Sequence, residues 1–297
     1  MDVKRIIPFL VIPLLLITVE IGALMISLPV QAAGITAFED PASLANPFVF
    51  IAILLVFTGF LLLLIKYGKK EWLAVIIGIS IFLTFVYIFT ALVYAVTADQ
   101  NLGIFLIIAL SILATVVLYK YPEWYVIDSL GILIAAGVAA IFGSSLEWYL
   151  VVLLLVLLAV YDAISVYKTK HMITLAEGVI DLKTPILFVI PKKRDYSFIR
   201  DGIGKLDDGG ERAAFIIGMG DLIMPSILVV SANVFLQGWR FAGIINLPAL
   251  GAMIGSLAGL AVLLHFVSSG KPQAGLPPLN GGTILGFLVG WVLAGFL

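Results

Sequence analysis

The sequence predicts an all-α, polytopic membrane protein with nine transmembrane helices, a cytoplasmic N-terminus and an extracytoplasmic C-terminus. Three observations predict it. The 297-residue chain is 62% hydrophobic and 12% charged, with a mean hydropathy of +1.19. Soluble domains carry about 25% charged residues, so this chain lacks the polar surface to cover a water-facing globule. Its apolar residues also fall into nine long runs, and a bilayer core needs roughly 20 of them per helix. Finally, the basic residues sort to one side: of 17 Lys and Arg, all but Arg240 fall in segments on the N-terminal side of the membrane. Basic loops stay in the cytoplasm, which sets the orientation.

The runs are 6–31, 47–67, 72–97, 102–119, 125–145, 147–168, 212–236, 241–267 and 280–297. The first follows Lys4 and Arg5 and ends near "VQAAG", in the manner of a signal peptide. Its apolar stretch is about 25 residues, beyond the usual 7–15 of a cleaved leader, so it reads as a retained helix. Short loops join the runs up to residue 168. The stretch 169–211 then holds most of the polar sequence and is expected to be a cytoplasmic loop. The chain therefore divides into helices 1–6 (1–168), this loop (169–211) and helices 7–9 (212–297), expected to form one integral membrane unit. No period of 20–50 residues repeats, which excludes a solenoid.

A net charge of −1 gives no bulk attraction to nucleic acid. The chain has no cysteine, so disulfides and thiolate metal sites are excluded. Its two histidines, His171 and His265, do not have zinc-pair spacing. His265, near the end of its run, reads as an interfacial residue. No cofactor and no metal are expected.

The chemistry lies in acids placed inside apolar runs, where an ionisable side chain is costly. Four are candidates: Glu20, Asp128, Asp162 and Asp221. Asp128 is near the beginning of its run, close to Lys120 and Glu123, and reads as interfacial. Glu20 is nearer mid-span and reads as a structural acid paired with a hydroxyl or a loop. Asp162 and Asp221 differ, because their depths match. Asp162 stands six residues before Lys168, and Asp221 nine residues after Arg212. At 1.5 Å per residue they lie about 9 and 13 Å from the cytoplasmic ends of sequential spans. Two carboxyls sharing a site hold one proton between them. Such a pair supplies a base to activate water and an acid to protonate a carbonyl oxygen or a leaving nitrogen. Gly218 and Gly220, just before Asp221, allow close backbone approach. Pro225 deprives the Asp221 carbonyl of its helical partner, so the helix is expected to loosen there.

"VYDAISV" (160–166) and "GMGD" (218–221) resemble the Y-D and G-x-G-D motifs of presenilins and signal peptide peptidases, the intramembrane aspartyl proteases. That family has nine helices, a cytoplasmic N-terminus and a long loop between helices 6 and 7. The resemblance implies that Asp162 and Asp221 are the catalytic pair, with Tyr161 beside one of them. It also implies a P-A-L motif before the last helix. The literal Pro248-Ala249-Leu250 lies in the outer part of its span, far from the two acids. Pro277, Pro278 and Leu279 depart by one residue but lie on the cytoplasmic side, and are taken as the counterpart. Their prolines, with Gly281 and Gly282, predict irregular backbone lining a cavity.

One more segment stands out. "TPILFVIP" (184–191) is β-prone and apolar, bounded by prolines, in an otherwise polar loop. It reads as a plug, as a strand that pairs with an unwound substrate, or as a segment lying on the bundle. The expected activity is hydrolysis of peptide bonds in transmembrane helices or remnant signal peptides. Single-span peptides and membrane lipid are the expected partners, and homo-oligomer formation stays open. The alternative is a proton- or cation-coupled transporter, or a leak channel, using the same carboxylates. The absence of any Asn-x-Ser/Thr sequon agrees with a prokaryotic, archaeal-like presenilin homologue in a cell membrane.

Overall fold

A computed structural model describes residues 3–67, 70–169, 187–192, 195–202, 214–267 and 273–295. Long apolar helices dominate them. They are α1 (Val3–Ala32), α2 (Ala45–Lys66), α3 (Lys70–Tyr94), α4 (Gln100–Lys120), α5 (Trp124–Ser145), α6 (Trp148–Ile164), α7 (Met219–Phe235), α8 (Leu247–Val267) and α9 (Leu276–Leu293). Eight of these are long and apolar enough to cross a membrane, and α7, at 17 residues, is a shorter apolar helix. A π-helical turn, Ser165–Thr169, extends α6. One short helical turn, Phe198–Asp201, and two antiparallel pairs complete the described structure: β1 (Leu187–Pro191) with β2 (Ala214–Gly218), and β3 (Arg240–Phe241) with β4 (Ile245–Asn246).

Small residues decide the packing. Helices in lipid gain little from burying apolar groups, so association relies on close backbone approach. The buried face of α5 is built from Gly131, Ala135, Ala136, Gly137, Ala139, Ala140 and Gly143. A Cβ at Gly143 would stand 2.6 Å from Val230 of α7, and one at Gly22 of α1 would stand 3.1 Å from Ala136. Both α1 and α7 thus lie directly on α5. The main core gathers Leu150, Leu154 and Leu158 of α6, Ile227 to Val230 of α7, and Ala249 and Ala252 of α8 around this floor. Helices α8 and α9 meet along a glycine seam, Gly251, Gly255 and Gly259 facing Gly282, Gly286 and Gly290, with the Pro278–Leu279 and Leu247–Pro248 backbone at its two ends. By contrast, only 6% of the apolar stretch of α2 is buried inside the protein.

Three predicted boundaries shift. The run 212–236 is not one helix: Ala214–Gly218 is a strand, and α7 begins only at Met219. Periodicity cannot separate strand from helix in a continuous apolar stretch, and β2 gains a ladder from β1 that a helix there would lack. The run 241–267 opens with the β3–β4 hairpin, and its helix starts at Leu247. The third shift is at 277–279, where irregular backbone was expected. These residues lie in the first turn of α9, which starts at Leu276 and runs through Gly281 and Gly282. Proline costs nothing in a first turn, where N–H groups have no intrahelical partner. The glycines are kept helical by the seam with α8. Helix α7 also continues through Pro225. Of the segment 184–191, residues 184–186 lie outside the described residues.

Arg240, the single basic residue assigned to the outer side, is taken up by a polar knot at the end of α7. Its guanidinium donates to Asn233 Oδ1 at 3.1 Å and to the Asn233 carbonyl at 3.0 Å. Buried Asn246 donates to the carbonyls of Ala232 (2.7 Å) and Leu236 (2.8 Å). The last carbonyls of a helix need such partners when they are not in water.

Candidate active site

Asp162 and Asp221 reach one place by different local structures. Asp162 lies near the end of α6, is 7% exposed, and precedes the π-helical turn. The Ser165 hydroxyl donates to its backbone carbonyl at 2.9 Å. Asp221 is in the first turn of α7, not well inside a helix as the span 212–236 predicts. Gly218 is the N-cap, so Asp221 holds the third helical position. From there an acidic side chain reaches back to the N-cap N–H, as in a capping box, and the Asp221 carboxylate accepts from Gly218. The pair G-x-G-D therefore marks a strand-to-helix junction. Gly218 ends β2 and caps α7, while a side chain at Gly220 would point into open space.

The two carboxylates converge on the start of α9. The Leu276 N–H donates to Asp162 Oδ2 at 3.0 Å, and the Gly275 backbone also bonds that carboxylate. On the other side, a Cβ at Gly275 would stand 2.9 Å from Cγ, Oδ1 and Oδ2 of Asp221. One glycine is thus wedged between both acids, and Asp221 lies within electrostatic reach of Asp162. A larger residue there would push the Asp221 carboxylate out of this position. The Tyr167 hydroxyl, on the π-helical turn, donates to Gln273 Oε1 at 2.8 Å and accepts from the Ala274 N–H at 3.3 Å. It ties the segment before α9 to the helix that carries Asp162. Asn280 adds a second tie, donating to the Leu155 carbonyl of α6 at 3.0 Å.

The other predicted site residues are placed as follows. The Tyr161 hydroxyl bonds Thr58 of α2, although the residue adjoins Asp162. Leu279 is buried in the core with Leu222 and Leu260, and the Pro278 and Leu279 backbone packs on Gly259. Pro277 lies in the same first turn. The residues that touch the acids are therefore Gly275 and Leu276, just before the triplet the sequence singled out. A signal was present: Gly275 stands two residues before the proline pair Pro277-Pro278 in the helix's first turn. Pro248 opens α8 against Gly290, at the opposite end of the α8–α9 seam.

Glu20 and Asp128 do not join this pair. Glu20 is fully buried and accepts from the Ser256 hydroxyl at 2.7 Å, the kind of partner expected for it. Asp128 accepts the backbone N–H of Val189 in β1 at 2.8 Å. Nearby, Glu123 accepts from the Ser197 hydroxyl (2.6 Å) and the Phe198 N–H (2.9 Å). Tyr196, packed in the same cluster, is pushed up to about 12 by burial and by the charges of Asp201 and Glu123. Among the described residues no cluster of three or more His, Asp or Glu could hold a metal ion.

Comparison with known proteins identifies the family. Residues 13–296 match the family described as signal-peptide peptidase, presenilin aspartyl protease. Two solved structures of a presenilin family intramembrane aspartate protease are similar. One, in space group C222, is 48% identical with a TM-score of 0.70, covering 97% of this chain and 99% of that one. The other, in space group P2, is 50% identical with a TM-score of 0.71, covering 97% and 98%. Among curated proteins none matches. The chain belongs to the signal-peptide peptidase and presenilin family. It is an aspartic-type endopeptidase of the membrane, an integral multi-pass protein, and nothing in the comparisons supports a transporter.

Proposed function

We propose that Asp162 and Asp221 are the catalytic pair and hydrolyse peptide bonds of transmembrane helices or remnant signal peptides. The observation that carries this reading is their convergence on Gly275 and Leu276. One carboxylate takes a proton from a water as it attacks the scissile carbon, while the other carboxyl protonates the carbonyl oxygen; the first then passes the water's proton to the leaving nitrogen, and the second recovers its own as the C–N bond breaks and the new carboxyl forms. No covalent intermediate is needed. Leu276 N–H and the Gly275 backbone hold Asp162 in place, and the N-cap bond from Gly218 holds Asp221. Gly220 leaves open space beside the acid for a peptide backbone.

A transmembrane helix must unwind before water can attack it, because its carbonyls are enclosed by hydrogen bonds and side chains. The β1–β2 pair supplies a template. Its register pairs Phe188 with Ile217, Val189 with Ile216 and Ile190 with Phe215. Val189 gives its N–H to Asp128, so it faces away from β2, as does Pro191 two residues on. The outward row of β2 is then Ala214, Ile216 and Gly218, leading straight to Asp221. An extended substrate segment added along this edge would be delivered to the pair. In this reading nine helices cross the membrane, with the N-terminus cytoplasmic and the C-terminus outside, in a prokaryotic cell membrane. The segments 1–168, 169–211 and 212–297 act as one unit, Tyr161 supports the site through α2, and Pro277, Pro278 and Leu279 hold the first turn of α9. Substrates are single-span helices in contact with lipid.

The test uses purified protein with labelled single-span peptides, in detergent and in liposomes containing ¹⁸O water. Cutting inside the span, with ¹⁸O in the new carboxylate, is the expected result. Inertness toward a panel of such peptides would overturn the proposal.

A further inference from the structure

The catalytic reading leaves one acid unused in contact with the strand pair, Asp128. It stands in the early part of α5, half-buried, and its Oδ1 accepts from Val189 N–H at 2.8 Å. In an antiparallel pair, alternate residues turn their N–H and C=O groups away from the partner strand. For β1 those residues are Leu187, Val189 and Pro191. Pro191 has no N–H to offer, so Val189 supplies the outward donor at the middle of the strand, and Asp128 occupies it. One strand edge is therefore closed by a carboxylate from α5. The opposite edge, on β2, has no strand partner among the described residues, and its last outward N–H, that of Gly218, is held by Asp221.

The strand is also fixed in position from α5. Phe188 and Ile190 are buried with Leu15, Leu16 and Ala135, while Val189 packs with Phe85 and Ile127. These contacts are apolar and bear little on register along the strand. A hydrogen bond from one identified N–H does, because a slip of one residue would bring Phe188 or Ile190 opposite Asp128 and reverse the faces. Glu123 holds the nearby turn at Ser197 and Phe198 in the same manner, so two acids of one helix end dock two parts of the segment between α6 and α7.

We infer that Asp128 is a positioning residue for proteolysis: it closes the β1 edge and sets the β1–β2 register, so that a substrate strand adds only along β2 and reaches Asp221 in one frame. This rests on the catalytic and strand-addition reading above. The inference concerns where the peptide is cut and how well it binds, not the bond-breaking step.

The variants are Asp128→Ala, which removes the acceptor, Asp128→Asn, which keeps an acceptor oxygen, and Val189→Pro, which removes the donor from the strand edge where proline is tolerated. Loss of one such bond is expected to raise KM about tenfold in Asp128→Ala, with kcat within about twofold. The cut should spread over neighbouring peptide bonds. Asp128→Asn should restore a single cut and the wild-type KM, and Val189→Pro should behave as Asp128→Ala does. An unchanged KM and a single cut in Asp128→Ala would overturn the inference. Equal damage in Asp128→Asn, or a fall in kcat alone, would overturn it too. If Asp128→Ala does not fold, Val189→Pro decides on the same readouts. Amide exchange in the Asp221→Asn background separates this inference from the catalytic reading. There the Val189 amide should be protected in the parent and in Asp128→Asn, and exchange about tenfold faster in Asp128→Ala. Equal protection in all three refutes the role of Asp128 even if no peptide is ever cut.

Discussion

Gly255→Ala is a minimal perturbation with a large expected effect. Gly255 faces α9 across the glycine seam, and a Cβ there would stand 2.9 Å from the Gly282 carbonyl carbon and 2.9 Å from Gly286 Cα, and against the Gly282 oxygen. All of these are backbone atoms, so no side chain can rotate aside. Carbon atoms rest at about 3.5–4.0 Å, and the Gly282 oxygen would be closer still, so the helices must part by about 1 Å or more. Overpacking of this kind costs about 1–3 kcal/mol. It also acts on the site, because α9 begins with the Leu276 N–H bonded to Asp162. A misplacement of about 1 Å can cost a hundredfold in rate. Gly281→Ala is the matched control on α9: a Cβ there meets nothing within 4 Å. The assay is thermal unfolding in detergent with initial cleavage rates well below the transition. Gly255→Ala should melt several degrees lower and cut about tenfold to a hundredfold more slowly. Gly281→Ala should match or exceed the parent in melting temperature, since alanine is the better helix former, and keep its rate. Equal melting of Gly255→Ala and the parent would refute the seam as the device that sets α9.

Three further outcomes follow from single residues. Gly275→Val should abolish cleavage while leaving the fold intact, because its Cβ would sit 2.9 Å from the Asp221 carboxylate, which is a side chain able to swing away; a folded and active variant would contradict the wedge. Asn246→Ala removes the donor to the carbonyls of Ala232 in α7 and of Leu236 at its C-cap, and the acceptor for Ala249 N–H. It should cost about 2–4 kcal/mol, with cleavage per folded molecule unchanged below the melting transition; a melting temperature equal to the parent's would show that the knot does not matter. Tyr196 is raised from 10.0 to about 12 by burial first, then by Asp201 and Glu123. Between those pH values the unfolded chain gives up the proton and the folded one keeps it, so stability present below pH 10 is lost as pH rises toward about 12. Melting profiles of the parent and Tyr196→Phe should therefore diverge in that window, and parallel profiles would contradict the assignment.

The sequence reveals much of this architecture, and where it fails the reasons are physical. Long apolar runs define helices because a bilayer-crossing element has a fixed length, so α1 to α6 appear close to their predicted limits. Asp162 and Asp221 stand out because an acid is conspicuous in apolar surroundings. The strand 214–218 does not, since "AAFIIG" continues into the apolar α7 without a break in composition. Its partner segment 187–191 could be read as β-prone, but not what it would pair with. Pairing is a long-range choice, and so is the bond from Val189 to Asp128, across 61 residues. At the start of α9 the prolines point to irregular backbone when read alone. Only the seam with α8 makes that turn helical and sets Gly275, not Pro277 to Leu279, between the acids.

The central claim is that Asp162 and Asp221 act together on water. Its most direct test is the cleavage rate of one single-span peptide by the parent, Asp162→Asn and Asp221→Asn, each confirmed as folded by its melting curve. Asparagine keeps the shape and removes the proton chemistry. Each variant should lose about a hundredfold to ten-thousandfold in rate, and the double variant should be no worse than either, because the acids work as one unit. A variant that still cuts at close to the parent rate would contradict the pair.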